Sequence, residues 1–169
     1  MSYKGLSPIK VKKLGHFIYE VSDVERTTKF WQEVMGFELV ERNKKGMVFF
    51  RYGADHHAIG LTPMQDGKRP ERDLNSLQAE HLAFEVENTD ILQQAKNYFI
   101  ENNIPIVFEG RKGAGCNTSI NFLDPDGYQF EIYCGMDQIG PEGKLRPPSM
   151  FKPKNPLEEA IADPVDPNW

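Results

Sequence analysis

The chain predicts an α+β fold built from two βαβββ modules, and three observations carry that expectation. The stretch Gly15-His16-Phe17-Ile18-Tyr19-Glu20-Val21 returns as Glu80-His81-Leu82-Ala83-Phe84-Glu85-Val86, both following the plan His, apolar, apolar, aromatic, Glu, Val. Each copy runs into an amphipathic helical pattern and then into three short alternating runs separated by turns, so one structural unit is used twice. The chain has 169 residues, 39% apolar and 11% aromatic, which suits one domain or two half-domains with a real core.

In order, residues 1–10 read as an arm. A first strand is expected over Val11–Val21, with His16, Ile18 and Glu20 on one face and Phe17, Tyr19 and Val21 on the other. Ser22 and Asp23 offer helix caps, Ser22 with Glu25 at capping-box spacing, for a helix over Val24–Met35. That helix should bury Phe30, Trp31, Val34 and Met35 and stop at Gly36. Strands are expected at Phe37–Glu41, Met47–Tyr52 and His56–Leu61, closing module one at 11–62. Polar residues 63–79 read as a linker. Module two, 80–135, should carry strands at His81–Val86, Ile104–Glu109, Thr118–Leu123 and Tyr128–Cys134, with a helix at Thr89–Asn102. Gly113 and Gly115 suggest a mobile loop, and Asp124-Pro125-Asp126-Gly127 a tight turn.

The remaining segment, 136–169, has a different character. From Asp137 onward it holds seven of the chain's twelve prolines. Its one expected helix has Asn155 as cap, Pro156 in the first position and then Leu157–Ala162. Trp169, Phe151 and Leu157 would anchor this tail on the domain or on a neighbouring subunit; a disordered end is the alternative.

A formal charge of −5 favours neither a nucleic acid nor an anionic membrane surface as partner. No apolar run approaches the ~20 residues of a membrane span. Lys4, Lys10, Lys12 and Lys13 lack a following apolar stretch, which argues against a signal peptide. Cys116 and Cys134 form no short metal or redox pair, so a reduced, cytoplasmic setting is expected.

A lone strand histidine is ordinarily a packed interior residue. Two at the same place in a duplicated unit point instead to a shared ion, because duplication tends to bring equivalent positions near each other. Alternation in Phe130-Glu131-Ile132 turns Glu131 away from its apolar neighbours and onto the histidine face. Two imidazoles and a carboxylate suit Fe(II), Mn(II) or Zn(II), with coordination positions left open for a substrate.

The paired modules, the strand-one histidines and Asp124-Pro125-Asp126-Gly127-x-x-Phe130-Glu131 together resemble the vicinal oxygen chelate superfamily across about residues 11–135. The resemblance implies a cupped, barrel-like mixed sheet with a metal held by His16, His81 and Glu131. Where glyoxalase-I-like members carry a fourth ligand, superposition puts Gly60, which cannot ligate. Asp55-His56-His57 resembles the histidine pair of extradiol dioxygenases. Strand parity points His56 inward and His57 outward, or the reverse if the strand is interrupted. The dioxygenase tyrosine and further histidine are replaced by Asn121 and Lys112. Three functions remain open. The first is an Fe(II) extradiol dioxygenase using O2 on a catechol-like small molecule, with His56, His57, Lys112 and Asn121 catalytic and Ser119 orienting the substrate. The second is a non-redox thiol transferase, lyase or isomerase holding an anionic substrate with Arg111, Lys112 and Ser119. The third is a drug-sequestering protein. A homodimer is expected.

Overall fold

A computed structural model of the chain describes residues 13–64, 80–141 and 143–168. The N-terminal arm, nearly all of the expected linker and the proposed anchor Trp169 lie outside the described residues. The chain divides into two compact units, Met1–Glu71 and Arg72–Trp169, so the Pro-rich tail belongs to the second.

The first unit contains β1 (Phe17–Val21), α1 (Val24–Lys29), β2 (Glu38–Arg42), β3 (Val48–Arg51) and β4 (Ile59–Pro63). Its sheet order is β1-β4-β3-β2, with β1 parallel to β4 and the other pairs antiparallel. Tyr19 and Val21 are buried while Ile18 and Glu20 are exposed, following the alternation in the sequence. Asp23 rather than Ser22 caps α1, accepting from the Arg26 backbone N–H at 3.0 Å; Ser22 Oγ accepts instead from the Arg26 guanidinium. The helix then widens into a π turn over Phe30–Val34, which Met35 N closes onto Phe30 O at 3.2 Å. That turn buries Phe30 and Trp31 but leaves Val34 and Met35 half-exposed. Trp31 meets Phe37 and Phe50, and its indole N–H donates to Tyr19 Oη at 3.0 Å.

The second unit repeats the plan with β5 (Leu82–Glu85), α2 (Thr89–Glu101), β6 (Ile106–Arg111), β7 (Thr118–Leu123) and β8 (Gln129–Cys134), in the order β5-β8-β7-β6. Asn88 caps α2 through the Ile91 N–H. The helix buries Leu92 and Phe99, and Phe99 packs on Phe122, which packs in turn on Phe130. The helix side of this sheet is therefore aromatic, which sends Asn121 and Glu131 to the other side. Each unit is an open, four-stranded mixed sheet with helices, an α+β arrangement, and neither sheet closes into a barrel by itself.

The tail is ordered along β6, the edge strand. Its helix α3 (Leu157–Ala162) buries Leu157 and Ala160, whereas Phe151, an expected anchor, is 54% exposed. Asn155 does not cap α3. Its carbonyl instead accepts from Arg111 N at 2.9 Å, and Pro156 occupies the cap position. A Cβ at Gly110 would fall 2.4 Å from that same Asn155 carbonyl oxygen, so this crossing demands glycine. Arg146, ahead of α3, donates to the Asp137 carboxylate and the Asp166 carbonyl, both at 2.6 Å, and ties the last residues back to the segment that follows β8.

Candidate metal centre

In the second unit the site is built on one row across the sheet. Asn121 of β7 pairs with Glu131 of β8, and Glu131 pairs with Ala83 of β5. His81 lies two residues before Ala83 and so shares that face. The Glu131 carboxylate is 2% exposed. Its Oε1 accepts from Asn117 Nδ2 at 3.1 Å; its Oε2 accepts from Asn121 Nδ2 at 3.3 Å and from the Lys112 ammonium. His81 Nε2 stands 3.0 Å from the same Oε2. On the far side of the ring, His81 Nδ1 binds the carboxylate of Glu80.

Both ring nitrogens of His81 thus face carboxylates, Nδ1 that of Glu80 and Nε2 that of Glu131. A ring nitrogen and a carboxylate oxygen 3.0 Å apart are favourable with a proton or a cation between them. Two donors each about 2.1 Å from one metal ion, at right angles, also lie about 3 Å apart. The His81–Glu131 pair thus fits a divalent ion in both chemistry and spacing. Tyr133, two residues along the same face, has its phenol pKa raised by burial and by Glu85 and Glu131.

The first unit places its candidates in a second cluster. The His57 ring lies 4.7 Å from His16 and 5.0 Å from Phe49, centroid to centroid, and His57 Nδ1 is 3.1 Å from His56 Nδ1. His56 points towards Glu41, with Nε2 3.5 Å from its carboxylate. The two histidines therefore exchange the roles that unbroken alternation assigns. Strand β4 begins only at Ile59, so residues 56–58 are not counted by its two-residue period. Burial first, then His16 and His56, lower the His57 pKa, with Glu41 opposing. Among the described residues, no three His, Cys, Asp or Glu side chains group closely enough to hold a metal ion.

The two units differ at equivalent places. The row that reads Ala83–Glu131–Asn121 in the second reads Ile18–Gly60–Phe49 in the first. A Cβ at Gly60 would lie 2.9 Å from Ile18 Cγ1 and 3.3 Å from the Phe49 ring. Side-chain volume has changed strands: the small Ala83 makes room for Glu131, and Ile18 fills the room Gly60 leaves.

Arg111 is corrected by the structure. Its guanidinium is 1% exposed and donates to the carbonyls of Ala160, at 3.0 Å, and Asp163. It holds the tail on the helix side of the sheet, while its neighbour Lys112 takes the Glu131 side. Ser119 is fully buried on the same face as Asn121. The expected mobile loop is a short 3-10 turn, Ala114–Cys116, with Gly115 and Cys116 in the left-handed region and Cys116 buried. That turn delivers Asn117 to Glu131. Asn117 and Glu80 escape a pattern reading because neither has a counterpart in the first repeat, where Gly15 stands in the place of Glu80.

A family model described as Glyoxalase/Bleomycin resistance protein/Dioxygenase superfamily matches residues 13–132. The chain belongs to that superfamily. The metallothiol transferase FosB of Staphylococcus saprophyticus is 25% identical to this superfamily member over 126 residues, 74% of this chain and 78% of its own. The manganese-dependent 2,3-dihydroxybiphenyl 1,2-dioxygenase of Geobacillus genomosp. 3 is 25% identical over 80% of this chain, which spans only 41% of that enzyme. Among solved structures, a glyoxalase/dioxygenase from Nostoc punctiforme has a TM-score of 0.62 at 21% identity, covering 79% of this chain and 98% of its own. The fosfomycin resistance protein FosX of Listeria monocytogenes, complexed with Mn(II) and sulfate, has a TM-score of 0.59 at 20% identity, covering 80% and 97%. These structures speak for the fold. The superfamily's members are enzymes of several classes, transferases and dioxygenases among them, that use divalent metals. No helix among the described residues is long and apolar enough to cross a membrane.

Proposed function

We propose that the protein is a divalent-metal enzyme whose ion is held by His16, His81 and Glu131, and that its reaction is extradiol-type cleavage of a catechol-like substrate with O2. The observation that carries the reading is His57, a neutral imidazole packed against His16 with its pKa depressed. Such a base stays proton-free at neutral pH and can take a hydroxyl proton from a bound diol. His56 and then Glu41 continue from it towards solvent. On the other unit, Asn117 and Asn121 hold Glu131 in one orientation, and Lys112 places a positive charge beside the oxygens of an ionised substrate. When bound, Fe(II), or Mn(II) as in the Geobacillus relative's name, supplies the template that brings substrate oxygens together and couples them electronically to O2.

Thiol transfer is the second reading, favoured by Lys112 with its amide neighbours and by the FosB relatives. Here the ammonium would hold an anionic substrate and Mn(II) or Zn(II) would supply Lewis acidity. Cys134, whose pKa burial pushes up to about 11, and the buried Cys116 are poor nucleophiles, so the thiol would come from a co-substrate. The two readings part in one assay. Fe(II)- or Mn(II)-loaded protein is mixed anaerobically with 2,3-dihydroxybiphenyl and then exposed to air; a ring-cleavage chromophore that forms only with air is expected. Thiol-dependent loss of fosfomycin without oxygen uptake would replace this reading by the second. The protein is further proposed to act as a homodimer, which light scattering of the purified chain tests.

A further inference from the structure

Three cationic or neutral donors and one imidazole surround Glu131, but they are shared unevenly between its oxygens. Among the described residues, Oε1 has one partner, Asn117. Oε2 has three: Asn121, His81 Nε2 and the Lys112 ammonium. A carboxylate this deeply buried needs a counter-charge, and Lys112 supplies it. That oxygen is also the one that, with His81 Nε2, forms the donor pair suited to a divalent ion. An ammonium and a divalent cation on a single carboxylate oxygen repel each other, so occupancy by one weakens binding of the other. Lys112 has somewhere else to go. Its side chain is 29% exposed, and Nζ already lies 5.5 Å from the centroid of the half-exposed Phe108 ring. Its backbone stays put meanwhile, because Lys112 N donates to Asn117 O at 2.9 Å and Arg111 is fastened to the tail.

We propose that Lys112 is an internal counter-ion that occupies the metal's place on Glu131 and is displaced when a divalent cation binds. The freed ammonium then faces the open side of the sheet and receives the anionic oxygen of the substrate, so metal binds before substrate. The proposal rests on the assignment of His81 and Glu131 as ligands, and it adds a competitor built into the chain.

The experiment titrates the full-length, metal-free protein with Mn(II), following free Mn(II) by electron paramagnetic resonance, for wild type, Lys112→Met, Lys112→Arg and Glu131→Gln. Lys112→Met should bind Mn(II) at least tenfold more tightly than wild type, and Lys112→Arg, which keeps the charge, should stay within about threefold. In thermal melts, Lys112→Met should lower the midpoint of the metal-free protein and not that of the Mn(II)-saturated protein. Lys112→Gln repeats both measurements should the methionine variant not fold. Affinity that is unchanged or weaker in the uncharged variants, while Glu131→Gln loses binding, overturns the counter-ion and leaves the ligand assignment standing. Unchanged Mn(II) binding in Glu131→Gln overturns the ligand assignment itself, and the counter-ion with it.

Discussion

Replacing Leu157 by alanine should release the tail without unfolding the second unit. Leu157 is 0% exposed, and truncating a fully buried leucine costs about 2–5 kcal/mol. The six residues of α3 are too few to stand as a helix alone, so the loss falls on docking. What opposes it is limited. Arg111 gives hydrogen bonds to the Ala160 and Asp163 carbonyls, each worth about 1 kcal/mol or somewhat more for a charged donor. The ion pairs Lys96–Glu158 and Lys152–Asp163 are largely exposed at their acidic ends and add little. At tenfold per 1.4 kcal/mol, a loss near 3 kcal/mol opens the tail about a hundredfold more often. The reporter is the Arg111 amide, which Asn155 O protects. Hydrogen exchange should show it speeding up by about that factor while amides of Ile120, Phe122 and Phe130 change little. If all four accelerate together, the tail is part of the global fold and not a separately docked element. An unchanged Arg111 amide would refute the docking argument outright.

Asn117→Ala removes the sole partner of Glu131 Oε1 named above and should weaken Mn(II) binding about 10–100-fold, measured by calorimetry. Equal affinity would mean that the carboxylate needs no such support. Tyr19→Phe deletes the acceptor of the Trp31 indole N–H and should cost about 1 kcal/mol in urea denaturation; no loss would show that another partner replaces it. Docking of α3 should also respond to pH. Lys96 lowers the Glu158 pKa and Lys152 lowers that of Asp163, so their contribution is present above the ordinary carboxylate values and lost as pH falls through the depressed ones. Lys96 is raised by Glu109 and Glu158, so its share persists below the ordinary lysine value and is lost as pH rises through the raised one. The Ala160 amide resonance should therefore shift at both extremes and hold steady between them; a shift centred near neutrality would contradict this. Cys134 should resist thiol reagents at pH 8 in the native state and react once unfolded, as burial requires.

Much of the fold was legible because the repeat fixes phase. Once His16 and His81 are aligned, the burial of Tyr19 and Val21 follows from a two-residue period, as does the opposition of Glu131 to Phe130 and Ile132. The pattern fails where the period stops. His56 and His57 lie in an irregular approach to β4, so counting parity through them gives the wrong ring beside His16. Arg111 and Lys112 are both basic and adjacent, and nothing local says which faces a tail that joins the sheet 40-odd residues later. Ser22 and Asp23 are equally able caps, and only backbone geometry chooses Asp23. The exchange of volume between Ala83–Glu131 and Ile18–Gly60 needs the register of paired strands, which composition does not carry.

The apolar plug formed by Ile18, Gly60 and Phe49 makes the inequality of the two halves hard to undo. A glutamate placed at position 60 would have its first carbon 2.9 Å from a β-branched isoleucine and 3.3 Å from an aromatic ring, so both side chains must shift to admit it. A matching pair of acidic residues in the two units is thus opposed by the packing of Ile18 and Phe49 over Gly60. Across this row, then, one copy offers imidazoles beside apolar packing and the other alone offers a carboxylate.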